Sequence, residues 1–158
     1  MNIKEEFRLA LRELVYPVCV VSAYNDETKE NHAITVSSVT SLSFEPPSIL
    51  VCINKDSSIH SSLKKDSNFN ISFLSSSQTE ISNLCGTDEL SDKRFDNDFW
   101  DFKNNIGFIK NSQSVISCTI KEITSYGSHS VFFGDVVEVI KNGNTKPLLY
   151  GKGKYLDI

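Results

Sequence analysis

The stretch Ala33-Ile34-Thr35-Val36-Ser37-Ser38-Val39-Thr40-Ser41 begins as a strand and breaks into a dense set of hydroxyls. A strand is expected over 33–37. Hydroxyls and turning backbone amides suit a phosphate ester and a hydroxylated chain, because they offer hydrogen bonds without fixed charge. An ordinary Ser/Thr-rich strand end has the same composition, and serine is abundant throughout the chain. The stretch marks a candidate binding edge, and its neighbours decide the scaffold.

Upstream, Ile3, Phe7, Leu11 and Leu14 recur at helical spacing with charges between them, which predicts an amphipathic opening helix. Pro17 ends it, and 18–23 reads as a buried strand. Residues 25–31 are polar and read as a turn. Downstream, 39–47 ends in Pro46-Pro47, which predicts an ordered connection rather than a strand. Residues 48–53 form a third apolar strand, and Ser57 offers an N-cap to a short helix carrying Ile59 and Leu63. Residues 68–74 alternate apolar and polar, as a half-buried strand does. Ser77 is placed to cap a second helix with Glu80 at the capping-box position, Ile81 and Leu84 inward, and Gly86 as C-cap.

A long polar and aromatic loop is expected over 87–107, with Phe95, Phe99, Trp100 and Phe102. The runs 114–124 and 130–140 read as long strands joined near Tyr126-Gly127. Asn142-Gly143 is a turn signal, and 148–150 with 155–156 can form a closing strand pair. The sum is mainly β: an antiparallel barrel with two or three peripheral helices, in a single domain over 1–158 without a linker.

Composition excludes several classes. The chain of 158 residues has 39% hydrophobic and 23% charged residues, as a globular domain does. Sixteen Lys and Arg against twenty Asp and Glu give a net charge of -4, and no long basic block occurs. A nucleic-acid partner is therefore not expected. No apolar run suits a membrane span and the N-terminus lacks a signal-peptide core, so a cytoplasmic location is expected. The cysteines Cys19, Cys52, Cys85 and Cys118 are evenly spaced, but their flanks share no pattern and no C-x-x-C pair exists. Free thiols and no metal site are expected.

A second candidate segment is Cys52-Ile53-Asn54-Lys55-Asp56-Ser57-Ser58, where a strand end, a turn and a helix start meet. Free N–H groups there attract anions, although a plain capped helix reads the same way. No G-x-G-x-x-G and no Walker loop occurs, so any nucleotide is held by another arrangement.

Taken in order, these segments resemble the flavin reductase family. Its T-x-S-S-x-T-S run, double proline and N-K-x-S turn match Thr35 to Ser41, Pro46-Pro47 and Asn54 to Ser57. Phe7 to Leu11 resembles its opening helix, and Asn70 to Gln78 its strand-to-helix block. Lys93-Arg94-Phe95 resembles its D-R-F motif, Gly127 to Val136 its G-D-H block, and Pro147 to Tyr150 its closing P-L-x-Y. Ser128 stands where the family usually has an acid before the histidine, and Lys93 where it often has an acid.

The resemblance implies an antiparallel split β-barrel, a homodimer, and reduction of FMN or FAD by NADH or NADPH, with a monooxygenase as possible recipient of the reduced flavin. It places flavin against Thr35, Val36, Ser37 and Ser38, and against Cys52, Ile53, Asn54, Lys55, Ser57 and Ser58. Gly86 and Arg94 would approach the phosphate end, Tyr150 would line the pocket, and His129 would sit by the ring as the catalytic residue. Arg94 reads equally as a surface partner of Asp92 or Asp96. Two other functions fit the same barrel: an FMN-binding electron carrier without NAD(P)H activity, and a flavin-free interaction module.

Overall fold

The computed structural model describes residues 2–157. It opens with helix α1 (Ile3–Arg12), started by Asn2, whose side-chain oxygen accepts from the Lys4 N–H. Strands β1 (Tyr16–Pro17), β2 (Cys19–Asn25), β3 (Glu30–Val36), β4 (Val39–Phe44) and β5 (Pro47–Asn54) follow. A 3-10 helix over Ser58–Ser62 leads to β6 (Asn68–Phe73) and helix α2 (Thr79–Gly86). A second 3-10 helix (Asp88–Lys93) precedes β7 (Trp100–Lys103) and β8 (Ile106–Ile109). The long strands β9 (Ser114–Tyr126) and β10 (His129–Lys141) come next, then β11 (Leu149–Gly151) and β12 (Lys154–Leu156).

Seven strands form one antiparallel sheet in the order β3-β2-β6-β9-β10-β5-β4. Its ends, β3 and β4, are consecutive in sequence but are not paired with each other. Side chains from both halves nevertheless share one core. Val21 of β2, Val51 of β5, Phe69 and Ile71 of β6, Ile120 of β9 and Phe132 of β10 lie in a single buried cluster. A sheet whose distant strands meet in this way must curl, and the right-handed twist of strands makes it curl. One register shift falls between Phe133 and Gly134. A Cβ at Gly134 would stand 2.9 Å from both Cys118 and the Phe69 ring, so the close approach needs glycine.

A second cluster packs the other face of β2. Val18, Val20, Ala33, Leu74, Ile81, Cys85, Trp100, Ile109 and Leu148 are buried there under α2 and the β7–β8 hairpin.

Four local expectations are corrected. Residues 39–47 are not a bare connection: β4 pairs with β5 as the sheet's edge strand, and Pro47 is the first residue of β5, a position where proline is tolerated. Residues 87–107 are not one loop but a 3-10 helix and a hairpin, closed by Trp100 pairing with Ile109 and by the Phe95 ring 4.4 Å from Trp100. The N-cap of α2 is Gln78, not Ser77, and it makes no side-chain cap bond. Its amide instead accepts from the Ser75 N–H and donates to the Lys110 carbonyl, bridging two segments. Gly86 is the last helical residue, and Thr87 is the C-cap.

The opening helix forms, but it stops at Arg12, short of Leu14 and well before Pro17, and none of its described side chains is buried. Phe7 is 63% exposed, and Ile3 and Leu11 are exposed beside it. Among the described residues no helix is long and apolar enough to cross a membrane, and no group of His, Cys, Asp or Glu suits a metal ion.

Candidate functional site

Three cavities lie along β3. The largest, about 640 Å³, is lined by Val18, Thr35, Val36 and Ser37, by α2 and the residue after it through Ser82, Asn83, Gly86 and Thr87, and by Tyr150 and Tyr155. A second, about 170 Å³, lies beyond Gly86 and is lined by Ile34, Asn54, Asp56, Ser57, Cys85 and Arg94. A third, about 530 Å³, shares Arg94 as a wall and includes His32, Ser58, Phe95 and Phe102. Gly86 thus borders the first and second, and Arg94 the second and third.

The expected binding residues divide among these walls. Thr35, Val36, Ser37, Gly86 and Tyr150 meet in the largest cavity. Asn54, Ser57, Gly86 and Arg94 meet in the smallest. Ser58 faces the third. Ser38, Cys52, Ile53, Lys55 and His129 line none of them. Ser38 and Cys52 are still joined: the Ser38 hydroxyl donates to the Cys52 carbonyl at 2.8 Å, and the Cys52 N–H donates back to the Ser38 carbonyl at 3.4 Å. Ile53 points its side chain into the core, so only its backbone can face a ligand.

Several of these side chains already have work. The Thr35 hydroxyl donates to the Ser82 carbonyl at 2.7 Å, which ties β3 to α2. The Ser57 hydroxyl donates to the Asn54 carbonyl at 2.7 Å instead of accepting from the helix it precedes. The Lys55 ammonium donates to the Gly127 carbonyl, and the Lys55 N–H to the Ser128 carbonyl, both at 2.9 Å. These bonds fasten the turn after β5 to the β9–β10 turn. His129 stands opposite Asn54 in the β10–β5 register, with Nδ1 2.8 Å from the Ser128 hydroxyl. Ser128 therefore orients the imidazole from the position where the family carries an acid.

Arg94 is the clearest departure from expectation. It pairs with neither Asp92 nor Asp96 at the surface, and the residue is only 4% exposed. Its guanidinium donates to the carbonyls of Ala33 at 2.8 Å, Thr87 at 2.7 Å and Leu84 at 3.2 Å, and lies 3.4 Å from the Asp88 carboxylate. A buried guanidinium is tolerated because its donors are matched this way. It clamps β3, the end of α2 and the following 3-10 helix into one wall.

Three of the four cysteines are sealed in the core and offer no nucleophile. Burial pushes the thiols of Cys19, Cys85 and Cys118 from 9.0 up to about 12, so they stay protonated at neutral pH.

Sequence reasoning missed Ser82, Asn83, Thr87, Leu90, Lys154 and Tyr155, which line the largest cavity. A signal existed for one of them: Ser82 lies four residues before the expected Gly86, so a helix puts both small residues on one face. Nothing local marked the β11–β12 hairpin, because its position depends on the whole sheet.

The largest cavity has the size of a small-molecule site, with apolar and aromatic walls and a few hydroxyls. Those walls suit a planar heteroaromatic ring with a polyol chain, so the residues present fit a flavin.

Comparison with known proteins agrees. Residues 11–158 match the model of the flavin reductase like domain. The reductase component of an FADH(2)-dependent resorcinol hydroxylase from Rhizobium sp. (strain MTP-10005) is 31% identical over 98% of this chain and 87% of that protein. An NADH:riboflavin 5'-phosphate oxidoreductase from Streptomyces pristinaespiralis is 29% identical over 92% of this chain and 82% of its own. The crystal structure of an NADH:FAD oxidoreductase from Streptomyces globisporus C-1027 superposes with a TM-score of 0.89 at 22% identity, over 100% of this chain and 95% of that one. The fold and the sequence together define a β-sheet flavoenzyme scaffold. The chain belongs to the flavin reductase like domain family.

Proposed function

We propose that this protein is an NADH-dependent flavin reductase, reducing FMN or FAD and passing the product to a separate monooxygenase. The single observation that carries the reading is the cavity where Thr35, Val36, Ser37, Gly86 and Tyr150 converge, in a chain of this family. A flavin held here would supply the chemistry as the hydride acceptor. The chain's own residues hold and orient. Ser37 offers a hydroxyl with no partner among the described residues, and the Ser38–Cys52 link presents backbone groups at the neighbouring strand end. Tyr150 and Tyr155, edge to face at 5.4 Å, form an aromatic wall. His129, held at Nδ1 by Ser128, keeps Nε2 for the nicotinamide or a proton, and we assign it the catalytic position. Positioning by these residues, rather than side-chain chemistry, would supply most of the rate in such a site.

The open seven-stranded sheet with one shared core supports a split barrel. The whole chain reads as one domain. The uncovered apolar face of α1, with Phe44 at 88% exposure at the β4 edge, supports a homodimer that covers them.

Anaerobic stopped-flow absorbance with FMN and NADH tests the reading. Bleaching of the oxidised flavin band, with multiple turnovers of added flavin, is the expected result. Flavin that binds but is not reduced would replace it with the electron-carrier reading.

A further inference from the structure

Charge is unevenly placed around the largest cavity. Among the described residues that line it, Lys154 alone is charged. No carboxylate faces it from those walls, and the Lys154 ammonium has no partner among the described residues. An ammonium left unpaired at the rim of an otherwise neutral pocket attracts an anion.

The hairpin that carries Lys154 is anchored, so the charge stays at the rim. The Tyr155 hydroxyl lies 2.8 Å from the Ser82 hydroxyl and donates to the Asn83 side-chain oxygen at 2.7 Å. This pins β12 to α2 across the cavity. The Lys152 N–H donates to the Arg12 carbonyl at 2.8 Å, which pins the turn to the end of α1.

A second cation stands behind the first. The Arg12 guanidinium packs over Gly153, whose φ is +78°, and any Cβ at 153 would collide with it. Glycine here permits both the left-handed turn and the approach of the guanidinium. Arg12 has no anionic partner among the described residues, whereas nearby Lys152 has Glu13 at 3.8 Å. Two unneutralised cations therefore flank one glycine at one end of the cavity.

We propose that Lys154, supported by Arg12, forms a phosphate-recognising lip for a nucleotide lying in this cavity. The reductase reading provides the two nucleotides that could supply the phosphate: FMN, or the pyrophosphate of the nicotinamide dinucleotide. The lip explains how a chain without a Rossmann or Walker loop registers a phosphate, by side-chain charge on a pinned hairpin.

Calorimetric titration decides the matter without turnover. Wild type, Lys154→Ala and Lys154→Arg are each titrated with FMN, riboflavin, NAD+ and nicotinamide riboside. Lys154 is exposed, and circular dichroism checks that the variants are folded. A loss of roughly three- to tenfold for a phosphate-bearing ligand is expected in Lys154→Ala, as for one charge-assisted contact near solvent. Its phosphate-free counterpart should be unaffected, and Lys154→Arg should retain most of the affinity. Loss for FMN alone assigns the lip to the flavin phosphate, and loss for NAD+ alone to the pyrophosphate. Unchanged binding of both, or equal loss for the phosphate-free ligands, overturns the proposal. A wild type that binds both nucleotides but fails to bleach refutes the reductase reading, while the same titrations still decide the lip.

Discussion

The two α-helices among the described residues invert the expectation their sequences raise. Helix α1 has the stronger amphipathic pattern, with Phe7 and Leu11 on one face, yet buries none of its described side chains. Helix α2 is shorter and less patterned, yet buries Ile81, Ser82 and Cys85 and walls the largest cavity. An apolar stripe states that a face needs covering; it does not state which surface covers it. For α2 the cover is this chain's own β2 and β3. For α1, on the reading above, it is a second copy.

The largest effect should come from the clamp that fixes α2. Arg94→Ala leaves the carbonyls of Ala33, Thr87 and Leu84 without their buried donor. Unmatched buried polar groups of this kind make a loss of about 3 kcal/mol reasonable. For a domain of this size that lowers Tm by roughly 10 °C. Thermal unfolding followed by circular dichroism checks it. A Tm within 2 °C of wild type, on the order of a surface substitution, would show that the clamp is decorative.

That clamp also shows where sequence reading stops. The strands were legible because their signals are local: alternation over 68–74, an apolar run at 48–53 and a long β-run at 114–124. The hydroxyl stretch at Thr35 to Ser38 was legible through family motifs that lie in order along the chain. Arg94 was named from sequence, but its use depends on three carbonyls from Ala33, Leu84 and Thr87, set by tertiary packing. Lys154 was invisible for the same reason: a lysine in a hairpin carries no mark until the sheet places it beside Ser82 and Gly86.

A change on α1 should separate assembly from stability. Phe7→Asp puts a charge on the exposed apolar face, and burial of one Phe is worth about 1.5–3 kcal/mol. In a two-fold interface the change occurs twice. Light scattering coupled to size exclusion should show a dimer in wild type and a monomer in the variant, with the monomer still folded. A wild type that elutes as a monomer, or a variant that stays dimeric, would leave the face of α1 without the cover assigned to it.

The smallest expected change in stability falls on α2 itself. Gly86→Ala adds one methyl at the point shared by two cavities. That methyl would meet only the Thr35 Cβ, at 4.0 Å, so the protein has room for it. Alanine also favours the helix over glycine by up to about 1 kcal/mol. Tm should therefore hold or rise slightly. Flavin affinity should nonetheless fall, roughly threefold to tenfold, if the ligand passes Gly86 on its way from the Thr35 wall toward Asn54 and Ser57. Quenching of flavin fluorescence measures the affinity, and the same sample gives the Tm. The pairing of the two readouts matters, because a packing residue would lose stability and affinity together. Unchanged flavin affinity would confine the ligand to the larger cavity and remove Asn54, Ser57 and Arg94 from its path.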